Sequence, residues 1–456
     1  MKWLTALLLT AQLTAADLGS LPEAELRARA AKDDLPAMVE LAHRQLHGKI
    51  MPFDQKYVLE TFQRGSEADI ARAHTGLALC HSWAVGMALD EKPVQGLLEK
   101  AADMGDAEGT FRLGLFSLDS TIQWRDPQLG FKLIRKAAGM GSMDAEAFLA
   151  KCALTGNGVP KDTQTGLTKL HALAEKEGNT QSAIYLAFHF RDTARDPDNA
   201  EKFFRMAAAQ NHAAAFIALG DKVLGSKPWE AGKAAKLEGS EWYRKAIARN
   251  SAEAMRKLGG MQVRDSTVRK PGEDWYQLWL DADSKGDELA TFKLAEINYH
   301  APGYFFRDLD WSKSAAFYEQ YLSGNPQEYR NVYLAVDRLL EMYFNGGQGL
   351  ERDFNKCLKI AQGHLDLNPA ASAYAGRILL HPDAPMGKSR DHFIRGYACM
   401  LRSRAVWKMQ RQNLYWISDE ALFVLRSRHG MTQGEVQRAE EMFRQGYPNP
   451  ETPILP

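Results

Sequence analysis

The sequence predicts an all-α protein, an array of about ten antiparallel helix hairpins that ends in a C-terminal helical cap. The first observation behind this prediction is a near-repetition: LLEKAADMGDAEGTFRLG (Leu97–Gly114) returns 36 residues later as LIRKAAGMGSMDAEAFLA (Leu133–Ala150). The second is a recurring pair, a leucine followed by a small residue, at the same period. The third is helical spacing of apolar residues inside each unit. A period in this range is typical of helix hairpins, which bury their apolar faces by stacking on one another.

The repeat keeps its phase through several markers. The leucine and small-residue pairs are Leu41-Ala42, Leu77-Ala78, Leu113-Gly114 and Leu149-Ala150. An acid follows thirteen residues after each leucine, at Asp54, Asp90, Asp126 and Asp162. Looser copies follow at Leu186, Leu219, Leu258, Leu294, Leu340 and Ala375. We count about ten units between Leu35 and Arg404.

Each unit is predicted to consist of two antiparallel helices. Gly109, Leu113 and Phe116 lie three and four residues apart, which places them on one face of a first helix. Asp126 precedes Pro127, and this pair is typical of a helix start, because the carboxylate accepts hydrogen bonds from free backbone amides. Glycines then end the second helices, at Gly105, Gly141 and Gly178.

The two ends of the chain differ from the array. MKWLTALLLTAQLTAAD has one cation, an apolar run and small residues at Thr14 and Ala16, which predicts a signal peptide over residues 1–16 and a periplasmic or secreted protein. The alternative is the first amphipathic helix of a cytosolic protein. At the other end, Thr432 and Glu435 have the spacing of a capping box. We therefore assign residues 17–404 to the array and residues 405–456 to cap helices and a tail.

Charge and hydropathy exclude some classes of partner. Lys and Arg together number 57, as do Asp and Glu, so no net field attracts nucleic acid or anionic lipid. After the first residues, no run of about twenty apolar residues could span a membrane. We expect no nucleic-acid partner, no stable membrane insertion and a monomeric chain.

Three further stretches carry a family resemblance. LAKCALTGNGVPKD (Leu149–Asp162), LEMYFNGGQGLERD (Leu340–Asp353) and WYRKAIARN (Trp242–Asn250) resemble the Sel1-like repeat family, relatives of the tetratricopeptide solenoids. The resemblance covers about four-fifths of the chain. It implies a right-handed superhelical solenoid that binds other proteins and has no catalytic machinery of its own.

The four cysteines, Cys80, Cys152, Cys357 and Cys399, do not pair within units. Cys80 and Cys152 are two units apart, too far for a disulfide, which needs Cα atoms within about 7 Å. Cys357 and Cys399 lie in successive units but at different helical positions. We interpret all four as buried free thiols, and a Cys357–Cys399 bond is the alternative.

Candidate chemistry is sparse. His43 and His47 lie four residues apart on one predicted helix face, as in some zinc sites, but no third ligand accompanies them in the sequence. The motifs GxSxG, GxxxxGK[ST] and GxGxxG are absent. We therefore predict no metal, no cofactor and no catalytic residues.

The predicted function is a protein-binding scaffold or adaptor of the cell envelope. Residues two positions after the marker leucines are rotated about 200° from them, away from the hairpin seam. We expect Leu79, Leu115, Lys151 and Phe188 to line a concave groove that binds a segment of a partner protein. The alternative for these residues is core packing against the neighbouring unit.

Two other functions stay open. The ten tryptophans and fifteen tyrosines are compatible with a cell-wall or glycan-binding module. An enzyme with a site at the irregular stretches Val223–Gly239 or Gly260–Asp274 is the second alternative.

Overall fold

The computed structural model describes most of the protein and contains only helices, turns and loops there. The described residues are 15–119, 125–300, 309–324, 326, 328–365, 368–381, 383, 389–409 and 419–448. Within them no strand occurs, and a single bridge joins Gly347 to Leu350. The all-α prediction is confirmed. The predicted signal peptide lies outside the described residues, except for its last two positions.

The protein divides into two compact units, and the first extends to Asp287. Two short helices, α1 (Ala15–Ser20) and α2 (Glu23–Ala30), precede its hairpins. Seven hairpins follow: α3 (Leu35–Leu46) with α4 (Gln55–Glu67), α5 (Ala71–Ser82) with α6 (Val94–Asp103), α7 (Ala107–Leu118) with α8 (Pro127–Gly139), α9 (Met143–Thr155) with α10 (Thr163–Glu175), α11 (Thr180–His189) with α12 (Pro197–Ala209), α13 (Ala213–Leu224) with α14 (Lys233–Ile247), and α15 (Ala252–Arg264) with α16 (Trp275–Ser284).

The second unit begins at Glu288 and contains three more hairpins. They are α17 (Glu288–Tyr299) with α18 (Trp311–Ser323), α19 (Tyr329–Asn345) with α20 (Phe354–Gly363), and α21 (Pro369–Leu379) with α22 (Arg390–Met409). The closing helices are α23 (Asp419–Arg428) and α24 (Gln433–Arg444). The ten predicted hairpins are present, and the predicted boundary at residue 404 falls inside α22.

The helix ends follow local side-chain chemistry. The Asp126 carboxylate accepts from the backbone amides of Gln128 and Leu129, and Thr432 and Glu435 form the predicted capping box. Gly105 has a φ of 84°, a left-handed conformation that ends α6 at no steric cost. Asp90, unlike the other marker acids, does not cap a helix, because α6 begins only after Pro93.

Small residues let the two helices of a hairpin approach closely. A Cβ atom on Gly114 of α7 would lie 2.7 Å from Ile134 Cγ1 and 2.9 Å from the carbonyl oxygen of Gly130 on α8. At this separation the two backbones leave no room for a side chain at position 114. The small residue after the marker leucine is therefore a requirement of packing.

The first unit closes on itself. The loop after α3 meets the turn after α12, where Asn211 Nδ2 donates to the carbonyl of Gly48 over 2.9 Å. Arg249, after α14, donates to the carbonyl of Leu46 over 2.7 Å. Asn250 and Lys285 reach the carbonyl of Ala84, after α5, over 3.3 and 3.1 Å. The loops of the first two hairpins thus rest on turns of the fifth, sixth and seventh, so the inner face of this unit lies inside a closed superhelical turn.

Replacing Arg249 by Met should weaken this closure. The guanidinium lies 4.6 Å from the centre of the Phe53 ring, and burial lowers its pKa to about 10. Because its hydrogen bond to Leu46 is charge-assisted, we expect a loss of about 1.5 kcal/mol in the free energy of unfolding. Urea unfolding measures it, with Arg135→Met on the exposed face of α8 as the matched control. Equal unfolding midpoints for the two variants would contradict the closure.

No described helix is both long enough and apolar enough to span a membrane.

Candidate functional site

First helices of the first unit present a continuous row of aromatic and cationic side chains. We call it the aromatic–cation row and define it as Trp83, Phe111, Arg112, Phe148, Lys151 and Tyr185. Trp83 follows α5, the next two residues are on α7, the next two on α9, and Tyr185 is on α11. The row therefore crosses four consecutive hairpins.

Adjacent members of the row are in contact. The Arg112 guanidinium lies 5.3 Å from the Trp83 ring and 5.7 Å from the Phe111 ring. Phe111, which is only 2% exposed and forms the buried base of the row, meets Phe148 edge to face at 6.2 Å. The row continues through Lys151, whose Nζ lies 5.7 Å from the Phe148 ring and 5.0 Å from the Tyr185 ring. The contacts of Lys151 hold its ammonium over an apolar surface while leaving it able to meet an anion, whereas Arg112 already pairs with Glu108.

Lys151 and Tyr185 provide the polar chemistry of the row. No carboxylate among the described residues forms an ion pair with Lys151. Burial, with the nearby Asp144 carboxylate, raises the pKa of Tyr185, so its phenol stays protonated and can donate a hydrogen bond. Lys151 and Tyr185 can together recognise a carboxylate, with apolar rings on both sides.

Of the four residues predicted to line the groove, Leu79 lies elsewhere. It is 1% exposed and packs with Val39, Ala42 and Leu46 of α3. Its predicted exposure is wrong, because α3 and α5 pack on each other through the face that we expected to be free. For Leu79 the alternative of core packing against the neighbouring hairpin is correct.

The other three residues are partly buried and do not form one patch. Leu115 packs beside the cluster of Phe111, Ile134 and Ala145. Phe188 meets Phe204 edge to face at 5.4 Å, and Arg191 covers it at 4.7 Å. Only Lys151 lies within the aromatic–cation row. Partner binding by these residues stays a prediction.

A second polar site joins α3 to α7. His43 Nε2 lies 2.6 Å from Glu108 Oε2, and His47 Nε2 lies 3.0 Å from Glu108 Oε1. Burial and the neighbouring His47 lower the pKa of His43. Burial opposes ionisation of Glu108, but the two histidines hold its pKa well below the usual value. No third ligand was expected beside the histidine pair, and this expectation is wrong. Glu108 supplies one from α7, the first helix two hairpins later.

The four cysteines are free and buried, which confirms their interpretation as thiols. The Cys357 thiol lies 3.5 Å from the carbonyl oxygen of Leu340 and forms no disulfide with Cys399. Burial raises the pKa of Cys80, Cys357 and Cys399 to about 12 and also raises the pKa of Cys152.

These thiols should be unreactive in the folded protein, because the thiolate is the reactive form and burial disfavours it. We expect a thiol reagent such as 5,5′-dithiobis(2-nitrobenzoic acid) to label none of the four cysteines under native conditions and all four in denaturant. Absorbance of the released thiol measures the number. Fewer than four thiols in unreduced, denatured protein would contradict the free state.

The two stretches predicted to be irregular each join helix ends through a loop, and ion pairs fix both loops. Arg244 makes a two-point pair with Glu273, with distances of 2.6 and 2.8 Å, and Gln262 donates to the same carboxylate over 2.6 Å. Lys236 donates to Asp265 over 3.2 Å, and the Asp265 carboxylate caps the short helix that follows. The charged groups of these stretches thus hold the loops in place.

The exposed tryptophans of the first unit do not form a flat row. Trp83 and Trp229 are 40% and 54% exposed, and they lie in loops of different hairpins. Within the described residues no contact between their two rings is found. Nothing at these positions resembles an extended glycan-stacking surface.

The hairpins and their inner face define an α-helical repeat protein. Five segments of the sequence match the family model of the Sel1 repeat, at residues 96–106, 107–142, 144–167, 181–212 and 332–362. Residues 96–212 and 332–362 thus contain Sel1 repeats, as the resemblance to that family predicted. Three of the segments cover a hairpin from its first helix to its second, in the phase derived from the sequence. Sel1 repeats typically build scaffolds for protein–protein interaction.

Solved structures with a similar arrangement include three bacterial proteins. A protective antigen present in uropathogenic Escherichia coli strains, described as displaying an SLR fold, has 18% identity, and the match covers 92% of this protein and 85% of that one with a TM-score of 0.42. A Sel1 repeat protein from Oxalobacter formigenes has 20% identity, coverages of 70% and 89%, and a TM-score of 0.38. An immunity protein from Pseudomonas aeruginosa has 16% identity, coverages of 47% and 82%, and a TM-score of 0.33. In a comparison with curated protein sequences, none matched this one.

Proposed function

We propose that this protein is a non-catalytic scaffold of the cell envelope and that its first unit binds a segment of a partner protein at the aromatic–cation row. The observation that carries the proposal is Lys151, a cation held between the rings of Phe148 and Tyr185 without a carboxylate partner among the described residues. A scaffold needs no acid, base or nucleophile at this position. It needs apolar surface for affinity and a few polar groups for orientation.

The chemistry of the row specifies the partner segment. The carboxylate of an acidic residue, or the one at the end of a polypeptide, would pair with the Lys151 ammonium, and the Tyr185 hydroxyl could donate to the same anion. Apolar side groups next to it would pack on Phe148 and on Trp83, which is 40% exposed. We therefore expect a short apolar segment with one acidic group. Because the row follows the first helices of a superhelix, where a concave groove is expected, a free polypeptide end or an extended segment fits better than a folded domain.

Site-specific photo-crosslinking tests this binding in cells. A benzoylphenylalanine at position 148 keeps an aromatic ring in the row, and the same residue at Leu129, on the exposed face of α8, is the control. We expect a protein adduct from position 148 only. Adding Lys151→Met should lower the adduct yield at least tenfold, since an interface anchor is commonly worth about 2 kcal/mol, whereas Lys132→Met on α8 should leave it unchanged. Equal adducts from positions 148 and 129, or a yield indifferent to Lys151, would refute the proposal.

The envelope location is a proposal supported by the sequence of the first sixteen residues. Removal of a signal peptide after Ala16 would give a mature protein that begins near Asp17. Intact-mass analysis of the protein purified from its native cells tests this expectation. A mass that includes residues 1–16 would overturn it.

A further inference from the structure

We propose that His43, His47 and Glu108 form a binding site for a divalent transition metal ion of the zinc type. Two imidazole nitrogens and one carboxylate oxygen are a ligand set that zinc accepts. The three ligand atoms lie within 4.8 Å of one another, near enough for one ion to contact all of them.

Helix geometry places the two histidines together. His43 is in the last turn of α3 and His47 is the residue that ends the helix, so their side chains leave the same face one turn apart. Their ring centres are 4.5 Å apart. Both present Nε2 to Glu108, which lies in the first turn of α7. Ligands from two distant helices therefore converge without any loop having to close over the ion.

The surroundings of Glu108 leave one of its oxygens available. Arg112 donates from Nε and Nη2 to Oε1 over 3.2 and 3.0 Å. The other oxygen, Oε2, faces His43. Hydrogen bonding of the outer oxygen by a neighbouring side chain is the usual way in which a ligating carboxylate is oriented.

His47 gives an independent indication of a missing ligand. Its Nε2 atom is buried, and although Glu108 Oε1 is 3.0 Å away, no hydrogen bond satisfies this nitrogen. A metal ion placed between His47 Nε2 and Glu108 Oε2 would accept the lone pair of this nitrogen. The side chains of His43, His47 and Glu108 remain 13%, 18% and 18% exposed, so an ion can reach them from solvent.

The fit to zinc requires only small movements. In a tetrahedral site with metal–ligand distances of about 2.0–2.1 Å, ligand atoms are about 3.3 Å apart. The 2.6 Å separation of His43 Nε2 and Glu108 Oε2 would open by less than 1 Å, and the three ligand atoms already lie within 4.8 Å of one another. Three protein ligands leave the fourth position of such a site to a water molecule.

Cobalt(II) titration of protein prepared without a polyhistidine tag and stripped with EDTA tests the site. We expect one equivalent to bind with visible d–d absorption typical of four- or five-coordinate nitrogen and oxygen ligation, and zinc to displace it. The variants His47→Gln and Glu108→Gln should each bind at least tenfold more weakly. His189→Gln, which changes a histidine of α11 outside the site, should bind like the wild type.

A second measurement separates ligation from folding. Zinc should raise the melting temperature of the wild type and of His189→Gln, because an ion that binds only the folded state stabilises it. It should not raise the melting temperature of Glu108→Gln, whose far-ultraviolet circular dichroism reports whether it has folded. If the wild type binds no cobalt at one equivalent, or if His47→Gln binds as tightly as the wild type, the three residues form only a hydrogen-bonded bridge and the proposal is wrong.

Discussion

Replacing Leu113 by Ala is expected to lower the free energy of unfolding of the first unit by about 2–5 kcal/mol. The side chain is 7% exposed and packs with Ala78, Val94, Leu98 and Ala102, which come from α5 and α6. The truncation therefore opens a cavity between two hairpins, and the rigid backbones on both sides limit how far the neighbours can fill it. Denaturant unfolding followed by circular dichroism measures the loss.

The matched control for this variant is Leu129→Ala on α8. Leu129 is 43% exposed, so the same chemical change removes little buried surface. We expect a loss below about 0.5 kcal/mol there, as is usual for surface substitutions. A Leu113→Ala variant no less stable than Leu129→Ala would mean that the marker leucine does not pack between hairpins.

Replacing Gly114 by Ala should destabilise the first unit although alanine favours helices. The added Cβ would approach Ile134 Cγ1 to 2.7 Å and the Gly130 carbonyl oxygen to 2.9 Å, closer than such atoms normally pack. We expect a net loss of about 1–3 kcal/mol, because separating α7 from α8 costs more than the gain in helix propensity. Differential scanning calorimetry would show a lower melting temperature.

Gly96→Ala is the control that separates propensity from packing. Gly96 lies in α6, and a Cβ added there meets no atom within 4 Å. Alanine at this position should stabilise by about 0.5–1 kcal/mol. If both glycine variants gain stability, the close approach of α7 and α8 is not a constraint on the sequence.

The number of hairpins, the antiparallel order of their helices and several helix caps could be predicted, because they depend on residues close together in the sequence. Asp126 caps α8 and Thr432 caps α24 as expected. Asp90 keeps the repeat phase but does not cap α6, because the loop after α5 is longer and Pro93 is the N-cap residue of α6. The closed turn of the first unit was not predictable in the same way. It depends on small rotations that accumulate over several hairpins, and no single residue pair encodes their sum.

The candidate sites were less predictable than the fold, for a related reason. The angular position of Leu79 on its own helix predicts an exposed side chain. Its burial depends on where α3 packs, which one helix alone does not reveal. Glu108 has no sequence signal that links it to His43, from which it is separated by 65 residues. Lys151 could be singled out from its position in the repeat, whereas its aromatic neighbours become visible only when α9 and α11 are placed side by side.

The contact of Arg249 with Leu46 spans 203 residues of sequence and that of Asn211 with Gly48 spans 163. A linear stack can fray from either end, one hairpin at a time, because each hairpin depends only on its neighbours. The first two hairpins of this unit also depend on residues that a ribosome makes much later. During synthesis they can fold locally as soon as they emerge, but their loops find their final partners only as the fifth, sixth and seventh hairpins form. Loop closure over such distances slows folding, so completion of the turn should be the last and slowest step in the maturation of this unit.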